Sequence, residues 1–238
     1  MPDRADCRNT RSGKRITQEA EGVPGPEPDA FTSVRRRYAL RMIDAAFYFD
    51  LASPLAYLAA ERVLHALHGP AEWRPVLASE LPGGERSATW RCESEREAFR
   101  EDVARRAAQL GLQPPRWPEP FPFDSSLAMR AATYAKSIGR TVPFAQAAFR
   151  QAFAGGRDMS QLDNVLIAAA ACEMHPAAVT RGVELGSVAA QLAAATSEAA
   201  ELGIIEIPAI VVAGDVFEGE RAVEQAAVRM LELVGAAP

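Results

Sequence analysis

The amino-acid sequence predicts an α/β chain in which a β-α-β half and a β-β-α half are separated by a wholly helical block. Three observations carry this reading. A short apolar, aromatic-rich run at Ala46–Leu51 is followed at once by a serine, a proline and an amphipathic stretch. From about Glu93 to Gly203 the apolar residues recur with a helical period, and no strand-like alternation intervenes. After that block come Ile207–Val212, a turn and a second short apolar run, which is the pattern of a hairpin. Strand-helix-strand, helical block, hairpin-helix is the order of a thioredoxin-type fold carrying a large all-helical insertion.

Each element has its own signal. In FYFDLASPLAYLAAERVL, from Phe47 to Leu64, the strand ends just before Ser53. Ser53 has the chemistry of an N-cap, and Pro54 suits the first helical position, where its missing N–H costs nothing. Leu55, Leu58, Ala59, Val63, Ala66 and Leu67 form one apolar face, which Gly69-Pro70 ends. Trp73–Leu77 reads as a second strand, with Pro75 favouring an edge. A crossover of this length implies parallel strands and a right-handed connection. Helices are expected at 93–110, 125–138, 142–154, 160–172, 176–184 and 187–202, punctuated by Gly111, Gly139, Gly155-Gly156 and Gly203. The hairpin turns at Ala213-Gly214-Asp215 into Val216-Phe217, and Glu220–Val234 closes the chain as an amphipathic helix.

Residues 1–42 read as a disordered N-terminal extension. They are polar, include Gly22-Val23-Pro24-Gly25-Pro26-Glu27-Pro28, and hold too little apolar surface to offset the entropy of ordering. Met42 stands where everything that looks folded begins and is a candidate for the functional start. The thioredoxin-like domain is expected over 43–91 and 204–238, with the helical insertion domain over 92–203.

Charge narrows the class of partner. The 238 residues carry a net charge of −5, but residues 1–43 hold nine Lys/Arg and six Asp/Glu, so the remainder is at −8. An acidic body repels phosphate backbones, which argues against nucleic acid, and Arg35-Arg36-Arg37 is too short a run to reverse this. No uncharged apolar stretch has the length of a membrane span and the N-terminus lacks a secretory apolar region, so neither membrane insertion nor export is expected. Cys7, Cys92 and Cys172 are far apart, with no CxxC and no histidine at metal-ligand spacing. A reducing cytoplasm, no metal and structural roles for His65, His68 and His175 follow. Trp73 and Tyr48 read as core.

In a thioredoxin-type fold the helix after the first strand begins with the redox cysteines, and a proline before the third strand faces them. Here those slots read Ser53-Pro54-Leu55-Ala56 and Ile207-Pro208. Without sulfur at either end of the first slot, dithiol–disulfide exchange is chemically excluded there, because it needs an attacking and a resolving thiol. No Gly-x-Ser-x-Gly elbow surrounds Ser53, which argues against a serine hydrolase.

Ile43-Asp44, Phe47-Tyr48-Phe49-Asp50, Ser53-Pro54 with Tyr57-Leu58-Ala59, Arg74-Pro75-Val76, Ile207-Pro208 and Gly219-Glu220-Arg221 follow one another along the chain. In this order the sequence resembles the 2-hydroxychromene-2-carboxylate isomerase family, a DsbA-like group that includes kappa-class glutathione transferases. The resemblance implies a site for glutathione, or another low-molecular-weight thiol, and no CxxC redox activity. It implies that Ser53 donates a hydrogen bond to the visiting thiolate, assisted by the helix N-terminus, which lowers a thiol pKa. It implies a cis Pro208 that leaves the Ile207 backbone free to pair with the cofactor, and it places Glu220 at the cofactor's ammonium with Arg221 beside it. It also implies an aromatic-derived small-molecule substrate, with Phe121, Phe123, Phe144 and Phe149 around its pocket, and a homodimer.

The sequence departs from the family pattern in three places. Gly219 stands directly before Glu220, one residue short of the family's Gly-x-Asp-Arg. The loop Ser79–Arg86 has no lysine, leaving Arg86 or Arg91 as carboxylate clamps. Glu218 adds a negative charge at the expected mouth, which would repel an anionic substrate. These departures keep a second reading open, a non-catalytic DsbA-like binding or scaffold protein that has lost the thiol site. Ser53 caps the helix equally well in either reading.

Overall fold

The computed structural model describes Leu40, residues 43–84 and residues 92–235. The extension expected over 1–42, Leu40 apart, lies outside the described residues, as do Cys7, Met42, the Arg35-Arg36-Arg37 cluster, Arg86 and Arg91. Leu40 is buried, with its carbonyl against Gly69.

Four strands and eight α-helices follow one another in the expected order among the described residues. β1 (Ala45–Phe49) is buried along its whole length. It is an inner strand of a sheet ordered β2-β1-β3-β4, and coverage on both faces is why its sequence is continuously apolar instead of alternating. α1 (Pro54–Ala66) crosses over to β2 (Glu72–Pro75), which pairs parallel to β1 with Phe47 opposite Trp73. Pro75, with no N–H to give, sits in this edge strand. Phe47 and Trp73 meet edge to face at 4.9 Å, a geometry favoured by the ring quadrupoles.

β3 (Ala209–Val212) returns antiparallel to β1 and pairs with β4 (Asp215–Glu218). Ala213 and Gly214 between them have φ of 51° and 91°, the paired positive angles that match a hairpin's twist. A 3₁₀ turn at Gly219–Arg221 leads into α8 (Ala222–Gly235), which packs on β3, β4 and α1.

The helical block comprises α2 (Glu93–Gln109), α3 (Ser126–Ser137), α4 (Thr141–Phe149), α5 (Leu162–Ala171), α6 (Pro176–Glu184) and α7 (Gly186–Glu201). α3 packs against α4, α6 and α7. Its fully buried Ala128, Ala131, Ala132 and Ala135 permit that closeness, and a Cβ at Gly182 of α6 would stand 2.6 Å from the Tyr134 ring. The helix expected over 142–154 stops at Phe149 and widens into a π-turn over Arg150–Ala154, closed by the Gly155 N–H on the Arg150 carbonyl.

This block is bonded into the sheet half. The Leu77 N–H donates to Thr196 Oγ1 of α7 at 3.0 Å, and Phe149 of α4 lies 5.9 Å from Phe49. One hydrophobic cluster runs through both halves. No helix among the described residues is long and apolar enough to cross a membrane.

Candidate active site

Ser53 stands at the tip of α1 in an extended conformation (φ −89°, ψ 114°), and its Oγ accepts the Ala56 N–H at 3.1 Å. The same hydroxyl donates towards the Ile207 carbonyl at 3.4 Å, across 154 residues of sequence. The Ile207–Pro208 peptide is cis. Behind it, the Pro208 carbonyl accepts the Gly219 N–H at 2.8 Å, which anchors the proline to the end of the hairpin. The Ile207 N–H has no hydrogen-bond partner among the described residues. The structure therefore brings Ser53, Ile207 and Pro208 into one corner, with a hydroxyl, an unused N–H and a helix N-terminus side by side.

Asp50 underlies this corner, and the sequence reading passed it over. It is 2% exposed, and its carboxylate takes three donors: Ala52 N–H on Oδ1 (2.8 Å), and Ala78 N–H (2.8 Å) and Ser125 Oγ (3.0 Å) on Oδ2. Its own carbonyl accepts the Ser53 N–H at 3.0 Å. Burial pushes the Asp50 carboxyl above the usual aspartate range, against the downward pull of those three donors. The signal was present in the sequence as an acid ending an apolar strand three residues before a capping serine, the arrangement of an Asx turn.

The corner opens into a cleft of about 400 Å³. Phe99, Phe121, Pro122 and Phe123 form its apolar wall, and Asp124 and Glu206 also line it. Hydrogen bonds from the hydroxyl and N–H of Ser126 hold the Asp124 carboxyl below its usual range. Of the four phenylalanines expected around a pocket, Phe121 and Phe123 are there. Phe144 and Phe149 are fully buried instead. Phe149 lies 6.2 Å from Tyr57 and packs on Phe49, because its face of α4 is the one that meets α1 and β1.

Glu220 and Arg221 lie elsewhere, in a recess of about 140 Å³ lined also by Leu58, Arg62 and Arg106. It adjoins the cleft at Leu55, which faces both. Glu220 is ion-paired with Arg106 of α2, and Arg221 is exposed. Glu218, expected to add a negative charge at the mouth, is also a backbone acceptor: its Oε1 takes the N–H groups of Ile205 and Glu206, the latter at 2.9 Å. It thereby holds the segment that leads into Ile207. Gly83 docks on the same segment, donating to the Ile205 carbonyl at 3.0 Å, and a Cβ there would come within 2.4 Å of that oxygen.

The remaining candidates do not line the cleft. Trp73 and Tyr48 are core, and His175 caps α6 by accepting the Ala177 N–H on Nδ1. Cys92 and Cys172 are free thiols: the first is exposed and lowered in pKa by the Ser94 hydroxyl, the second buried and raised by burial. The described residues contain no group of side chains suited to hold a metal ion.

The DsbA-like thioredoxin domain matches this sequence over residues 45–230. The chain belongs to that family. Among solved structures, a 2-hydroxychromene-2-carboxylate isomerase aligns with a TM-score of 0.71 at 14% identity, covering 79% of this chain and 95% of its own. A candidate DsbA oxidoreductase from Streptomyces coelicolor follows at 0.64 and 17%, covering 82% and 92%. The cytosolic disulfide reductase DsbM from Pseudomonas aeruginosa, in a structure with GSH, gives 0.55 and 14%, covering 80% and 96%. At these identities the likeness is one of fold. No curated protein is significantly similar to the chain in sequence.

Proposed function

We propose that this DsbA-like protein is a thiol-dependent isomerase or transferase that uses glutathione, or another small thiol, on an aromatic-derived substrate. The observation that carries the reading is the Ser53 hydroxyl at a helix tip, 3.4 Å from the carbonyl of the residue before a cis proline, opening onto a phenylalanine-walled cleft. The residues fit such a cofactor at its cysteinyl part, since the unpartnered Ile207 N–H and the neighbouring carbonyl offer the pairing of one strand to a peptide. A bound thiol would supply the nucleophile. Ser53 turns its proton from the Ile207 carbonyl to the sulfur, and the α1 N-terminus favours the charged form. Phe121 and Phe123 hold the aromatic part and exclude water. The solved structure of DsbM with GSH supports thiol binding on this fold.

The second reading, a binding protein without turnover, is favoured by Glu220, whose carboxylate is already engaged by Arg106 and faces a separate recess. Calorimetry and thermal shift with glutathione at millimolar concentration separate the two. Heat of binding that is lost in Ser53→Ala, with thiol-dependent turnover of aromatic enones, is expected. Absence of both heat and shift in the wild type would leave the binding protein as the better account.

A further inference from the structure

The walls of the cleft come from separate stretches of chain, among them 50–55 after β1, the turn at 78–84 after β2, and 121–125 at the entry to α3. Asp50 is bonded to all three, through Ala52 N–H, Ala78 N–H and Ser125 Oγ. The first stretch carries Ser53 and the third carries Phe121 and Phe123. A single buried carboxylate thus ties the thioredoxin half to the helical block at the point where the two together enclose a ligand.

We propose that Asp50 is a positioning residue for the aromatic substrate, fixing the distance between the Ser53 corner and the Phe121–Phe123 wall. This rests on the proposed thiol chemistry for its functional meaning, although the bracing itself does not. The selectivity it produces is geometric. Loss of the Ser125 bond releases residues 121–125 and lets the aromatic wall drift, while Ser53, still held by the Asp50–Ala52 Asx turn and by α1, stays in place. Loss should therefore fall on the aromatic ligand and spare the thiol.

Two substitutions and two ligands test this. Asp50→Asn forces an NH₂ group against N–H or O–H donors whichever way the amide turns, and it can fail to fold. Ser125→Ala removes one donor only, and Ser125→Thr keeps the hydroxyl. The neutral fluorophore N-phenyl-1-naphthylamine reports on the aromatic wall without any thiol, and glutathione titration reports on the Ser53 corner. Ser125→Ala is expected to weaken the fluorophore about fivefold or more and Ser125→Thr to stay within about twofold of wild type, with glutathione affinity little changed in both. A fluorophore affinity unaltered in Ser125→Ala, even with a lowered melting midpoint, overturns the positioning role, as does a wild type that does not bind the fluorophore. If glutathione fails to bind the wild type while the fluorophore pattern holds, the thiol reading falls and the role of Asp50 stands.

Discussion

The two recesses that meet at Leu55 were both expected to belong to one cofactor site, and they are built on different principles. The Ser53 corner is made largely of backbone: a helix tip, a cis imide, an unused N–H and a carbonyl, with a single hydroxyl added. The Glu220 recess is made of long charged side chains, Arg62 with Glu224 and Arg106 with Glu220 and Asp102, all partly in solvent. A backbone site persists as long as the fold does, whereas a side-chain site is redefined by one substitution or one missing residue. The difference separates what the fold guarantees from what single side chains decide.

Ser53→Ala is the strongest way to break the comparison. It should lower thiol-dependent turnover by roughly 100-fold, the scale on which a single donor to a developing or bound anion acts. It should cost about 1 kcal/mol of stability as a lost N-cap, which a denaturant titration reads separately. Glu218→Ala comes next. The N–H groups of Ile205 and Glu206 lose their acceptor, so about 1 kcal/mol and a severalfold loss of glutathione affinity by calorimetry are expected.

A third measurement sharpens the contrast through pH. Because burial raises the Asp50 pKa in the folded state, the fold holds that proton more tightly than the unfolded chain does. Its contribution to stability is thus fullest in acid and is lost as pH climbs from the ordinary aspartate value through the raised one. Denaturant midpoints of wild type minus Asp50→Asn should fall with rising pH across that window, and a flat or rising difference refutes the assignment. The smallest effect is assigned to Glu220→Gln. An exposed pair of this kind contributes less than about 1 kcal/mol, and glutathione affinity should stay within about twofold. A tenfold loss would return Glu220 to the cofactor.

The elements were legible because each is a local pattern. β1 is an apolar run, α1 announces itself with Ser53-Pro54, and the six helices of the insertion fall within a few residues of where their glycines put them. The π-turn after Phe149 was not legible, since nothing in Arg150–Ala154 distinguishes an i→i+5 closure from a regular one. Phe144 and Phe149 look like Phe121 and Phe123 in sequence, and only the packing of α4 on α1 decides which pair is core. The bracing roles of Asp50 and Glu218 were not legible, for a common reason. Their distant partners are brought in by folding, the Ala78 N–H and the Ser125 hydroxyl in one case and the N–H groups of Ile205 and Glu206 in the other, and a sequence does not show which groups will meet.

Ser53 and Ile207 are 154 positions apart, and β1 is joined on one side by β3, which follows the helical block in the chain. Throughout translation of the seven helices between them, one edge of β1 waits without its neighbour, a row of unsatisfied amides open to mispairing. The corner of Ser53 and Ile207 can therefore close only after the whole helical block has been made.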